Sequence, residues 1–160
     1  MYVPFENLPK HSRVWIYQSN RKLSDDEVVE INKLTKLFIE DWSAHGQGLE
    51  ASFIIRYNRF IIIAVNQDVQ SATGCSIDAS VKFIQDLEQK YSIDLLDKMN
   101  VTYKQGEFIA HKTLIEFKQM AKQKAVSEHT IVFNNLVNTI EEFEDFWEVP
   151  ASDSWHNRFF

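Results

Sequence analysis

A single cysteine, Cys75, is all the thiol this 160-residue chain carries, so no disulfide can form within it and nothing argues for an oxidising compartment. Glycine and proline are nearly as sparse, at four and three residues, and they are scattered instead of gathered into a linker. With no low-complexity tract or internal repeat either, the expectation is one compact domain over residues 1 to 160. The longest uninterrupted apolar stretch, residues 60 to 65, is far too short to span a bilayer, and residues 1 to 10 lack the basic-then-apolar pattern of an export signal. A cytoplasmic protein with no membrane partner is expected.

Positive charge is also in short supply. Seventeen Lys plus Arg against 23 Asp plus Glu leave a formal charge of -6, the wrong sign for neutralising a nucleic-acid backbone, so no nucleic-acid partner is expected. Lys112, Lys118, Lys122 and Lys124 cluster in one segment and Glu141, Glu142, Glu144, Asp145 and Glu148 in another, which reads as the solvated faces of two helices.

A phosphate-cradling loop needs a Gly-Lys pair followed by Ser or Thr, so that backbone amides surround the phosphates and the lysine reaches the outer ones. Here Gly46, Gly48, Gly74 and Gly106 are followed by Gln47, Leu49, Cys75 and Glu107, and an ATPase is excluded on that ground. Gly46-Gln47-Gly48-Leu49-Glu50-Ala51 fits the dinucleotide fingerprint in letters. That fingerprint must leave a strand and open a helix, whereas this segment is expected to leave a helix and enter a strand. The five histidines, His11, His45, His111, His129 and His156, are dispersed, with no helical pair or Cys/His cluster. No metal and no cofactor are therefore expected.

What the chain does have is aromatic bulk: 12 Phe and 4 Trp, within an apolar share of 44%, can build a core without external staples. Residues 13 to 18 (RVWIYQ) read as a strand of β-branched and aromatic types. Ser24-Asp25-Asp26-Glu27 reads as a capping box flanked by a Leu23–Val28 staple, opening a helix over residues 25 to 44 that Gly46 ends in the left-handed region. Residues 51 to 57 and 60 to 66 form a predicted hairpin turning at Asn58-Arg59, and the second run, apolar on both faces, is expected at the middle of a sheet. A second helix follows with Ser76 as its cap and Asp78 in its first turn.

Strands over 101 to 104 and 107 to 111 around Gln105-Gly106 come next, then a third helix through Leu114, Phe117, Met120 and Ala121. A last strand at 130 to 133, a capping box at Asn138-Thr139-Ile140-Glu141 and a helix stopped by Pro150 complete the order. The aromatic tail, with Trp155, Phe159 and Phe160, should dock on its own domain or on a partner. The fold class is α+β, an antiparallel or mixed sheet with helices packed on it, whose first half has the βαββαβ order of a ferredoxin-like split βαβ unit.

Reactive character concentrates at Thr73-Gly74-Cys75-Ser76-Ile77-Asp78, because a thiol beside a helix N-terminus feels the positive end of the dipole. Cys75, Ser76 and Asp78, with His45 or His156 as base, are the candidate catalytic residues. The competing expectation, which we favour on sequence grounds, is that Cys75 is a small buried residue, Ser76 a cap and Gly74 a turn. His45 beside Gly46 fits a helix C-terminus.

Gly74-Cys75-Ser76-Ile77-Asp78, Asn134-Asn135-Leu136-Val137, Glu148-Val149-Pro150 and Ser154-Trp155-His156 with Arg158-Phe159 resemble a family of small bacterial proteins of unknown function often labelled ABC-transporter ATPase. The resemblance runs over most of the chain and implies no catalytic residues. The label conflicts with the chemistry, since neither a phosphate loop nor a Leu-Ser-Gly-Gly-Gln-like signature is present. The reading that remains is a non-catalytic binding or interaction module with a protein or small-molecule partner, compatible with a homo-oligomer. The alternative is a cysteine-dependent enzyme or thiol sensor using Cys75.

Overall fold

A computed structural model describes residues 1–160, which fold as α+β with helices on open antiparallel sheets. The chain divides into two compact units, Met1–Leu96 with Asn138–Glu141, and Asp97–Val137 with Glu142–Phe160.

The first unit opens with strand β1 (Arg13–Gln18), as its alternation predicts. Helix α1 (Asp25–Asp41) begins at the expected capping box: the Glu27 amide donates to Ser24 Oγ at 3.1 Å and the Ser24 amide to Glu27 Oε1 at 2.9 Å. Leu23 and Val28 meet in the same core cluster, as a staple should. The helix ends three residues before the expected Ala44, because the chain turns extended at Trp42 (φ -71°, ψ 127°). Two short strands, β2 (Ser43–Ala44) and β3 (Gln47–Gly48), then pair across His45-Gly46. Gly46, at φ +75°, is therefore a hairpin residue and not the helix terminator, and His45 sits in the turn instead of at a helix end.

Strands β4 (Ala51–Arg56) and β5 (Phe60–Val65) form the expected hairpin. Its turn starts one residue earlier than read: Tyr57 and Asn58 take the positive φ values, 56° and 50°, and the Arg59 amide closes it on the Arg56 carbonyl at 3.0 Å. The sheet order β1-β5-β4 puts β5 at the centre, with all six residues buried. Ile61, Ile63 and Val65 pack with Ile31, Ile39, Ile84 and Leu87, and Phe60, Ile62 and Ala64 on the opposite face are buried as well. Helix α2 (Gly74–Tyr91) follows.

This arrangement keeps three strands of the ferredoxin-like plan: β5 lies between β1 and β4, antiparallel to both. The fourth departs from it. The strand after α2 joins a different sheet, and the free side of β1 is met by an isolated bridge, Arg13 with Thr139, and by the Asn138 carbonyl, which accepts the Val14 amide at 2.9 Å.

In the second unit, β6 (Asn100–Gln105) and β7 (Phe108–Thr113) pair around Gly106-Glu107, one residue beyond the expected turn, because Gly106 (φ +65°) takes the first turn position. Helix α3 (Leu114–Lys122) and helix α4 (Ile140–Phe146), whose first two residues belong to the first unit, accompany strands β8 (Ile131–Phe133) and β9 (Glu148–Pro150), which complete a sheet of order β7-β6-β8-β9. The capping box expected at Asn138 gives way to another arrangement: α4 starts at Ile140, and the Ile140 and Glu141 amides donate to the carbonyls of Ser12 and Lys10 at 3.0 and 2.9 Å. Pro150 does not stop that helix, which ends at Phe146. It closes the edge strand β9, where a residue lacking an N–H is tolerated. Of the clustered lysines, Lys112 lies in β7 and Lys124 follows α3, so the basic run is not one helical face.

The aromatic tail docks on its own unit as two 3-10 turns, Ala151–Asp153 and Trp155–Phe159. Trp155 and Phe159 pack on Val101, Tyr103, Phe117, Val126, Val132 and Ala151. No helix is long and apolar enough to cross a membrane.

Candidate functional site

The end of α1, the β2–β3 hairpin and the start of α2 enclose a cleft of about 410 Å³ within the first unit. Its geometry begins at Trp42. The Trp42 amide closes on Ile39 with a tight 3.2 Å bond, its carbonyl accepts the Leu49 amide at 3.0 Å, and its indole N–H donates to the Ser76 carbonyl at 2.8 Å. One buried side chain thus ties the hairpin to the first turn of α2. Phe38 stacks on Phe83 (4.6 Å, 12°) and lies 5.3 Å from the Trp42 ring, while Trp15 meets Trp42 edge-on at 6.4 Å. Such a cluster gives the cleft a rigid apolar wall.

His45 and Gly46 are both at positive φ (52° and 75°), the signature of the two-residue turn whose twist matches antiparallel strands. The turn carries an exposed His45 to the rim. Across from it, Thr73 caps α2: the Ser76 amide donates to Thr73 Oγ1 at 3.2 Å and the Thr73 amide to Ser76 Oγ at 2.7 Å.

The structure therefore sorts the candidates. Cys75, Ser76 and His45 line one cleft, whereas Asp78 and His156 are not part of it. Cys75 is exposed as the second residue of α2, which overturns the expectation of a small buried residue: the helix starts one turn earlier than read, and its buried face falls on Ser76 and Ser80. Ser76 is not the cap. It is the third helical residue, its hydroxyl donating to the Thr73 carbonyl at 2.9 Å while accepting the Thr73 amide at 2.7 Å, so it is engaged within the cap. Asp78, expected in the first turn, is the fifth helical residue and exposed, and that turn holds no acidic side chain. His156 belongs to the second unit, where it is buried with Nδ1 2.7 Å from Ser154 Oγ.

Sequence reading missed Asp41, Trp42 and Ser43, which line the cleft, and placed Thr73 in the reactive segment without giving it a role. Thr73-x-x-Ser76 was legible as a reciprocal cap, with Ser in the place usually held by Glu or Gln. Trp42 carried no such signal, because its spacing fits the helical stripe of Leu34 and Phe38 equally well. No group of three or more His, Cys, Asp or Glu comes together in a way that could hold a metal ion. Comparison with known proteins finds no matching family model, no matching curated protein and no matching solved structure.

Proposed function

We propose that this chain is a non-catalytic binding module of the cytoplasm whose ligand occupies the cleft between the end of α1 and the start of α2. The cleft carries this reading. Its volume of about 410 Å³ suits a small molecule, and its apolar lining of Leu37, Phe38, Trp42 and Ala79 is edged by a few polar groups, Asp41, Ser43, His45 and Thr73. With no acidic residue in the first turn of α2, the positive end of that helix favours an acceptor group on the ligand. A small molecule with an apolar body and one acceptor fits both walls. Because the Ser76 hydroxyl is committed to the cap, binding accounts for the site better than nucleophilic chemistry at that serine. Kinship with the small bacterial family that the sequence resembles belongs to the same proposal and adds no catalytic residue to it. The test is a fragment screen by amide NMR on the isotopically labelled full chain. Hits should shift the resonances of residues 37–45 and 73–79 together, and a screen whose hits cluster elsewhere, or that gives none, would defeat the reading.

A second reading has one observation in its favour: the exposed thiol of Cys75 lines the same cleft as His45. A thiol sensor or cysteine-dependent enzyme would follow if iodoacetamide reacts with a titration midpoint well below the free value of about 8.5. That midpoint would have to rise in His45→Ala. A midpoint near the free value in both proteins leaves binding as the function.

A further inference from the structure

We propose that residues 153–160 form an acid-released latch on their own unit, held shut by the neutral His156 ring and freed when that ring takes a proton. The backbone is built for it. The Ala151 and Ser152 amides anchor the root of the tail on the Thr130 and Glu128 carbonyls at 2.8 and 2.9 Å. Beyond Ser152 the backbone hydrogen bonds run within the tail itself: Ser154 to Ala151, Asn157 to Ser154 and Phe160 to Asn157. Side chains therefore hold the latch down, and His156 is the one among them that is both fully buried, at 1% exposure, and able to change charge near neutral pH.

Its surroundings favour the uncharged ring, whose Nδ1 lies 2.7 Å from the neutral Ser154 hydroxyl. The imidazole stacks on Trp155 at 3.8 Å, and Phe117 of α3 meets its edge at 6.1 Å. Phe117 also holds Phe159 at 5.7 Å and Phe160 at 6.2 Å, so expelling His156 disturbs the ring on which the rest of the tail rests. The charged groups around it offer no compensation. Within the tail, Arg158 has the same sign as an imidazolium and lies over Trp155 at 5.2 Å, and Asp153 is exposed. On α3, the Glu116 carboxylate is taken by the Thr113 hydroxyl at 3.0 Å and by Lys112 at 3.9 Å. On β6, the Tyr103 hydroxyl donates to Met120 Sδ at 3.7 Å.

Burial, and after it the Arg158 charge, push His156 down from 6.5 to about 4. The closed tail thus binds fewer protons than the open one. Closure is at full strength above about pH 6.5 and weakens as pH falls toward 4, the direction required of a group whose folded value is depressed. Linkage between these two values makes opening roughly 50-fold easier at pH 4.5 than at pH 7.

Amide exchange on the full chain tests this, with protection factors corrected for the intrinsic pH dependence of exchange. At pH 7 the Asn157 and Phe160 amides should be less protected than those of β6, because the tail opens without the sheet. Between pH 7 and 4.5 they should lose about 50-fold of protection while those of β5 in the first unit hold theirs. In His156→Phe that selective loss should vanish, and His156→Gln, which keeps a polar partner for Ser154, gives the same reading should the first variant fold poorly. The latch is overturned if tail and β6 are equally protected in the wild type at pH 7, which would mean that the tail opens only with the sheet. It is equally overturned if the tail keeps its protection at pH 4.5, or if the acid step survives in both variants.

Discussion

At the scale of single residues, Cys75 and Trp42 show how one turn of helix decides chemistry. Cys75 faces solvent because the capping pair Thr73 and Ser76 rotates the buried stripe of α2 onto Ser76, Ser80, Ile84 and Leu87. A thiol-specific reagent should accordingly titrate one thiol per chain in the native protein, without denaturant. Cys75→Ala and Cys75→Ser should each change stability by less than about 0.5 kcal/mol, as surface substitutions do, in chemical denaturation. A serine variant clearly less stable than the alanine one would instead restore the buried reading. Trp42→Phe keeps much of the ring stack but leaves the Ser76 carbonyl without its indole donor, and should cost on the order of 1 to 3 kcal/mol.

At the scale of elements, the Ser24 box was legible in full, whereas Ser76 and Asn138 do not cap their helices and both long hairpins turn one residue away from the expected position. Ser24→Ala should lower stability by about 1 kcal/mol, read as a shift in denaturation midpoint. Its partner Glu27 is held down to about 2, first by the Arg21 guanidinium and then by the Ser24 amide. This stabilisation is present above the ordinary carboxylate value and is lost as pH falls toward 2. Glu27→Gln should therefore destabilise at neutral pH and cost progressively less in acid. The glycines give a contrast of sign. Gly46→Ala forces a side chain into φ +75° and should destabilise by about 1 kcal/mol although the space around it is open. Gly74→Ala, in helical backbone with equally open space, should be neutral or stabilising by up to about 1 kcal/mol.

At the scale of the whole molecule, the chain closes its second unit with its own C-terminal aromatics. Truncation after Pro150 removes Ala151, Trp155, His156 and Phe159 from the Phe117 cluster and should cost at least about 3 kcal/mol, seen as lost protection in β6 and α3. Unchanged protection there would show the tail to be idle. Mg-ATP should give no saturable heat in calorimetry, since no glycine is followed by the phosphate-reaching lysine. Sequence by itself determined what depends on neighbours along the chain: the α+β class, the Ser24 box, the apolar central strand β5 and the aromatic surplus of the tail. These are set by side-chain period and by caps that act within four residues. Tertiary structure alone decided where α1 stops, since Trp42 fits the helical stripe but is pulled extended by its bonds to Leu49 and Ser76. It also decided that β6 leaves for a second sheet, that β1 takes Asn138 and Thr139 on its free side, and that Cys75 and His45 share a cleft while His156 does not. Apart from the Trp42–Leu49 bond, these rest on hydrogen bonds or packing between residues about 30 or more positions apart, for which a single sequence carries no period.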